Sequence, residues 1–328
     1  MPARPLPPMS YASTAVRPQW ADLPAELRSA VAARLGSPVT WATTAGGGFT
    51  RGFAAVLDTA DGGRYFIKAA SMSTQRHLTD WYAREVAVTA ALPPEVPAAR
   101  PRWTLTAAGH YVICLDAIDG RMPGLPWDPA ELDAALAAWA VAAEALRRPS
   151  PELAALGLPA LSDLIHSDLS WWREIAAGRE PMPTAPPWAE KRLDELVALE
   201  AALPGYARGT GLTHCDLRLD NVLIDATGSA WLCDWTWICY GPAWFDTASL
   251  LISAYASGLD ADALFAAHPT ARDAPPDGLD AALAALSGYL LSMAEAGPTS
   301  ASPLIRAHQR WSGETALAWL ADRRSLSS

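Results

Sequence analysis

The stretch THCDLRLDNVLIDATGSAWLCDW, residues 213–235, decides the fold. It holds the only Asn of the 328 residues, Asn221, five positions after Asp216, which itself lies two after His214. Its second part, NVLIDATGSAWLCDW, reads as a β-hairpin turning at DATG, because apolar runs flank a turn rich in Asp and Gly. A hairpin sets the residue before its first strand beside the residue after its second, so Asn221 and Asp234 become neighbours. One carboxylate and one amide oxygen suit a hard cation such as Mg²⁺, which takes few protein ligands when phosphate oxygens supply the others. Asp216, on the loop leading into the hairpin, is then placed to orient a hydroxyl in line with a phosphate.

The pattern HxDxxxxN followed by an Asp is the catalytic-loop signature of protein kinases. In a chain of this composition it is expected by chance about 0.001 times. The bare prefix is worth less, as HSDLSWW at 166–172 shows: it repeats HxDL, but Arg173 stands where Asn is needed and no hairpin follows.

A second scarce residue points the same way. Basic side chains here are nearly all Arg, with Lys only at 68 and 191. Lys68 closes the strand GRYFIK, where a phosphate-contacting kinase lysine belongs, and Glu85 in the following helix is its natural partner. Upstream, AGGGFTRG (45–52) lies between two strands. Gly46, Gly47 and Gly48, with Phe49 and Thr50, form a turn whose backbone N–H groups can cover a triphosphate. The spacing departs from the G-x-G-x-x-G of protein kinases, and the turn gains its meaning from Lys68 downstream.

The surrounding pattern divides the chain. Residues 1–18 are Pro-rich and are expected to be mobile; 22–36 reads as a helix stopped by Gly36. Strands at 39–70 and 111–120 enclose a helix at 79–92, ended by Pro93 and Pro94. From Pro126 the texture is Ala/Leu helix, about 129–147, 188–203, 279–296 and 303–321, with a looser Pro-rich stretch at 149–187. The fold class that follows is α+β: a β-rich half of 19–114, a hinge at 115–120 and a helical half of 121–328 with the hairpin embedded in it.

Bulk properties exclude several classes. Half the residues are hydrophobic (51%) and 18% are charged, so the chain can bury a core and is not disordered. The apolar runs are broken by acids and fall short of a membrane span, and no secretory signal is visible, so a cytoplasmic protein with no membrane partner is expected. The four Cys show no CxxC pair and read as buried thiols. A net charge of −10 speaks against nucleic acid. The charge is uneven, +2 over 1–120 and −12 over 121–328, and the acids at 260, 262, 273, 277 and 280 are open to two readings, a site for a cationic ligand or a solvated surface. Nothing in the sequence specifies an oligomeric state.

GGGFTRG, FIK, REVAVTAAL, CLDAIDGR, THCDLRLDNVLID and LCDWTWICYGPAWFDTASLL, in that order over about 40–255, resemble the aminoglycoside phosphotransferase family of small-molecule kinases. The Asp-Trp in place of DFG, the GPAWFD run and the lack of an activation segment separate the chain from protein kinases. The resemblance implies a two-lobed protein-kinase-like fold. It implies Asp216 as the catalytic residue facing the acceptor hydroxyl, Asn221 and Asp234 as Mg²⁺ ligands, and Lys68, held by Glu85, on the phosphates of ATP or GTP. It further implies adenine bound on backbone groups of Leu115, Asp116 and Ala117, and His214 and Asp246 as structural support. Asp246 has a local reason too, as a helix N-cap. Arg218 is expected to pair with a neighbouring carboxylate.

The acceptor implied is a small-molecule hydroxyl compound: an aminoglycoside or other antibiotic, or a metabolite of choline, homoserine or sugar type. Many Trp, among them Trp127, Trp171, Trp172, Trp235, Trp237 and Trp244, suit either a core or a ligand site, with Trp235 and Trp237 nearest the cleft. A nucleotide-binding pseudokinase is the rival from another class, and the intact Lys, Asp, Asn and Asp set weighs against it.

Overall fold

In a computed structural model, which describes Pro7 and residues 10–326, the sheet half begins with α1 (Ala25–Leu35). Gly36 ends that helix in the left-handed conformation, φ 79°, and its N–H closes on Ala32 and Ala33 carbonyls. Five antiparallel strands follow: β1 (Val39–Thr44), β2 (Phe53–Thr59), β3 (Arg64–Ser71), β4 (Pro101–Ala107) and β5 (His110–Asp116), in spatial order β1-β2-β3-β5-β4. Helix α2 (Arg76–Ala91) lies between β3 and β4 in the chain and ends before Pro93. One face of the sheet packs on α1 through Leu27, Val31, Phe53 and Leu57, and the other meets α2 through Leu78, Tyr82 and Ile113.

A connector passes to β6 (Gly120–Arg121) and the helices α3 (Pro129–Ala145), α4 (Pro151–Ala154), α5 (Leu161–Asp168), α6 (Trp171–Ala176), α7 (Pro187–Lys191) and α8 (Leu193–Tyr206). The stretch 149–187 is therefore more ordered than its prolines suggest. Two of those prolines sit at helix starts, Pro151 behind the Ser150 cap and Pro187, where the missing N–H costs nothing. The hairpin is present as β8 (Val222–Asp225) and β9 (Ala230–Leu232), joined on one edge by β6, while β7 (Leu212–Thr213) pairs with β10 (Cys239–Tyr240). Helices α9 (Trp244–Ala256), α10 (Ala261–Ala267), α11 (Gly278–Glu295) and α12 (Leu304–Arg324) complete the chain. The result is a two-lobed, kinase-like architecture.

Helix α11 is the spine of the helical half, packed along α12 and α8. Small residues permit that closeness: a Cβ at Gly313 would sit 2.9 Å from Leu291, and one at Gly288 would sit 2.8 Å from the Trp172 indole. Of the Trp residues, 127, 172, 235 and 244 are core. Among the described residues no helix is long and apolar enough to cross a membrane.

Over 10–18, where mobility is expected from the sequence, the chain packs on the rest of the molecule, and residues 1–6, 8 and 9 lie outside the described set. Tyr11 and Thr14 are buried; the Tyr11 hydroxyl is 2.6 Å from His308 Nδ1 on α12, and its ring packs edge-on to Phe49 and Trp311. A Tyr set among the prolines finds its partner almost the whole chain away.

Glu200 of α8, 1% exposed, accepts the N–H groups of Trp172 and Arg173 at 2.9 Å and so caps α6 from another helix. Its removal orphans one buried and one partly buried donor. Glu200→Ala is expected to cost about 3 kcal/mol, read as a lower midpoint in urea unfolding.

Candidate active site

Lys68 on β3 and Glu85 on α2 meet in a buried two-pronged ion pair, Nζ lying 2.8 and 2.7 Å from the two carboxylate oxygens. The Tyr82 ring lies under the ammonium, 5.6 Å from Nζ. Burial works against the charge on Lys68, but Glu85 and then Asp234 outweigh it and hold the ammonium protonated beyond its ordinary range.

The loop after β7 is fixed from below. His214 is buried and its ring lies 4.6 Å from that of Trp235. Its Nδ1 accepts the Asp216 N–H at 3.3 Å, so Nε2 carries the proton donated to the Cys233 carbonyl at 2.9 Å. Burial lowers the pKa of this imidazole, which keeps it neutral. Asp246, fully buried on α9, accepts the N–H groups of Cys215 (3.1 Å) and Leu217 (3.3 Å) and the Thr213 hydroxyl. Asp246 is thus not the N-cap read from the sequence: Ala243 stands there, and the carboxylate points into the loop rather than at its own helix. Cys215 itself is in the left-handed region at φ 65°.

Asn221 Nδ2 donates to the Asp216 carbonyl (2.8 Å) and carboxylate (3.1 Å), which turns its amide oxygen away from that loop. The Asn221 carbonyl receives the Cys233 N–H at 2.8 Å, so the hairpin register sets Asn221 opposite Cys233, the residue before Asp234. Asp234 is also left-handed, φ 61°, and takes the Thr236 hydroxyl at 2.8 Å. Arg218 does more than pair with one neighbour. It bridges Asp216 and Asp220, the latter through Nε and Nη2 at 3.0 Å each.

The two aspartates are driven apart electrostatically. Burial pushes the Asp216 carboxyl up to about 7, with Arg218 opposing and Asp234 and Asp220 adding to the rise. Burial also acts on Asp234, but Lys68 and the Thr236 hydroxyl outweigh it and hold that carboxyl below the usual range. One acid near neutrality beside one firmly ionised is the pattern of paired carboxylates with different tasks. Beyond Asp216 opens a cavity of about 570 Å³ between α5, α9, α11 and α12, within the size range of small-molecule sites. Trp237, 43% exposed, and Trp171 border it, whereas Trp235 lies beneath the loop.

The glycine turn stands at the sheet edge, where Gly46, Gly47 and Gly48 lead to buried Phe49 and to Thr50. Leu115 and Asp116 end β5 rather than lying in the connector, and the Asp116 N–H is already committed to the Arg100 carbonyl at 2.9 Å. Ala117 is the first residue beyond the strand. The copied prefix HSDL lies on the last turn of α5 and its C-cap, with Asp168 exposed at the cavity rim.

The profile of the phosphotransferase enzyme family matches residues 46–276. The chain belongs to that family. Solved structures of similar fold include a thermostable mutant of aminoglycoside phosphotransferase APH(4)-Ia in apo form, with TM-score 0.61 and 14% identity over 92% of this chain and 100% of that one. Spectinomycin phosphotransferase APH(9)-Ia in complex with ADP and spectinomycin superposes with TM-score 0.60 and 12% identity over 89% and 97% of the two chains. Macrolide 2′-phosphotransferase MphH of Brachybacterium faecium gives TM-score 0.54 and 17% identity over 87% and 97%. No curated protein matches the sequence. For this phosphotransferase the likenesses carry the fold.

Asp246→Ala would leave three buried donors without their acceptor. In this phosphotransferase it is expected to lower unfolding stability by about 3–5 kcal/mol, while Asp216→Ala, at the cavity surface, leaves the urea midpoint near that of the wild type.

Proposed function

We propose that this phosphotransferase is an Mg²⁺-dependent kinase that moves the γ-phosphate of ATP or GTP to a hydroxyl of a small molecule with a largely apolar body. The observation that carries the reading is the position of Asp216: one end of its environment is the acceptor-sized cavity, the other is Asn221, hydrogen-bonded to its carboxylate and adjacent to Asp234 and the Lys68–Glu85 pair. Solved relatives in complex with ADP and with AMP-PNP support a nucleotide as the donor.

The donor set fits a hard cation. The Asn221 amide oxygen faces away from the loop, and the Asp234 carboxylate is held ionised beside it. Asn221 and Asp234 would hold Mg²⁺, which when bound neutralises charge on the phosphates. Lys68, fixed by Glu85, contacts the phosphates as a second cation; Asp216 aims the acceptor hydroxyl and takes its proton as the new P–O bond forms and the bond to the nucleoside diphosphate breaks. Leu115 to Ala117 meet the base, chiefly through carbonyls and the Ala117 N–H.

The acceptor's apolar body is argued from the walls. Away from Asp216 the cavity is bounded by Phe245 and Ile252 of α9, Leu290 and Met293 of α11, and Ile305 and Trp311 of α12. Several ammonium groups placed against such walls would each lose hydration without a partner. The acids that invited a polycation are engaged elsewhere: Asp262 and Asp280 with Arg323, Asp280 and Asp277 with Arg324 at 2.7 Å, and Asp260 as the cap of α10. A polycationic aminoglycoside is the competing acceptor, favoured by Asp168 at the rim.

The test is diphosphate release with Mg-ATP or Mg-GTP against neutral ring-bearing alcohols and polycationic aminoglycosides. Stimulation by the neutral set is expected; stimulation by the polycations alone would overturn the acceptor class, and no release with any acceptor would overturn the kinase. Asp216→Asn should slow transfer by about 10²–10⁴-fold with nucleotide affinity retained. Asp234→Ala should weaken Mg-nucleotide binding by about tenfold or more, and chelation of the metal should stop turnover.

A further inference from the structure

The segment from Tyr11 to Arg17 lies outside the family-matched residues and runs directly along the glycine turn. It takes the turn's carbonyls one after another: Gly46 from the Ala15 N–H (2.8 Å), Gly48 from the Thr14 hydroxyl (3.2 Å), Gly47 and Gly52 from the Arg17 guanidinium (3.0 and 3.1 Å). The Phe49 carbonyl is taken by the Ser302 N–H at 2.7 Å, and that of Arg51 by Gln75 at 3.2 Å. Six carbonyls of the seven residues 46–52 are thereby engaged, yet among the described residues none of their N–H groups donates to a protein acceptor. A turn with its acceptors consumed and its donors left over is matched to an anion.

Arg17 sharpens that imbalance. Its guanidinium is largely enclosed, and all its hydrogen bonds go to neutral oxygens, the two carbonyls and the Thr50 hydroxyl at 3.2 Å. Among the described residues it makes no ion pair with a carboxylate, and the acid whose charge acts on it is Asp234. Its Nε and the Tyr82 hydroxyl are both buried without a well-aligned hydrogen bond, although the two groups lie close enough to act on one another. Both flank Gly52: Arg17 bonds its carbonyl, and a Cβ there would lie 2.4 Å from the Tyr82 oxygen. Tyr82 in turn lies beneath Lys68. An enclosed cation with no carboxylate partner, beside the expected phosphate lysine and a turn with free N–H groups, is matched to an anionic ligand.

We propose that Arg17 is a phosphate-binding residue of the nucleotide site, carried into it by the 11–17 strap. The inference rests on the kinase reading above and adds to it a third cation, besides Lys68 and the metal, from a segment that is not part of the family match. Engagement of a polyphosphate would give the guanidinium the charged acceptor it lacks, while the strap keeps the turn's carbonyls turned to itself.

The experiment measures binding of Mg-ATP, ADP and adenosine to the full chain and to Arg17→Gln, Arg17→Lys and Lys68→Ala. Arg17→Gln is expected to weaken Mg-ATP and ADP by about tenfold or more and to leave adenosine unchanged, which also reports that the cleft is folded. Arg17→Lys keeps the charge and should retain a large part of the affinity. Equal losses in the Gln and Lys variants, or a loss shared by adenosine, would make Arg17 a shaping residue of the turn and overturn the proposal. Unchanged affinity in Arg17→Gln with loss in Lys68→Ala would overturn it while the kinase stands. A wild-type chain that binds no nucleotide would overturn the kinase reading itself, and this inference with it.

Discussion

One buried carboxylate holds the centre of the molecule in place. Asp246 gathers the Thr213 hydroxyl and the N–H groups of Cys215 and Leu217, and this binds α9 to a loop that has little regular structure of its own. The loop needs such an anchor because Cys215 is left-handed without being glycine, a conformation that costs about 1–2 kcal/mol. Several hydrogen bonds gathered by one buried carboxyl group offset that cost. From this fixed turn His214 reaches down to Cys233 and Asp216 reaches up to the cavity. The hairpin register carries this further, since the Cys233–Asn221 backbone bond sets Asn221 opposite the residue that precedes Asp234.

The charges around that centre are balanced by distance more than by number. Asp234 is held ionised chiefly by Lys68, and Asp216 is raised chiefly by its own burial. Arg218 prevents the second effect from going further: it spans Asp216 and the almost fully enclosed Asp220, so a single guanidinium neutralises part of two acids. Burial pushes the His308 imidazole down to about 3, the same cation adds to the effect, and the ring is kept neutral. His308 therefore meets the Tyr11 hydroxyl as an uncharged partner, and the strap docks without bringing a further charge into the helical half.

What could be read in the sequence was what depends on neighbours in the chain. The hairpin, Asn221, the Lys68–Glu85 pairing and the stop at Gly36 follow from turn chemistry, scarcity and spacing, and the structure places each of them as those signals require. Asp246 was legible as a support but not in its direction, because a helix-start position looks the same whether its carboxylate caps its own helix or an adjacent loop. The acids at 262, 277 and 280 were ambiguous because their partners, Arg323 and Arg324, stand more than forty residues away. The strap was missed for the same reason in stronger form: Tyr11 and Ser302 act on partners nearly 300 residues distant, and a Pro-rich composition describes only the local chain. A Tyr and an Arg set among prolines near a terminus were the one signal present.

Those distant contacts also explain how the two halves share a site. Ser302 donates its N–H to Phe49 in the glycine turn and its hydroxyl to Thr14 in the strap, and Arg51 reaches the neighbouring Ala301 carbonyl at 2.9 Å. The turn is thus hydrogen-bonded to the helical half as well as to its own sheet. Tyr11 completes the junction, with one side of its ring on Phe49 and another facing the cavity that begins at Asp216. A hydroxyl and a phosphate must be brought in line for transfer, and misplacement by about 1 Å can cost about 10²-fold in rate. Tying the glycine turn and the cavity wall through the same few side chains limits the relative movement of the two, which a simple connector at Ala117 could not do.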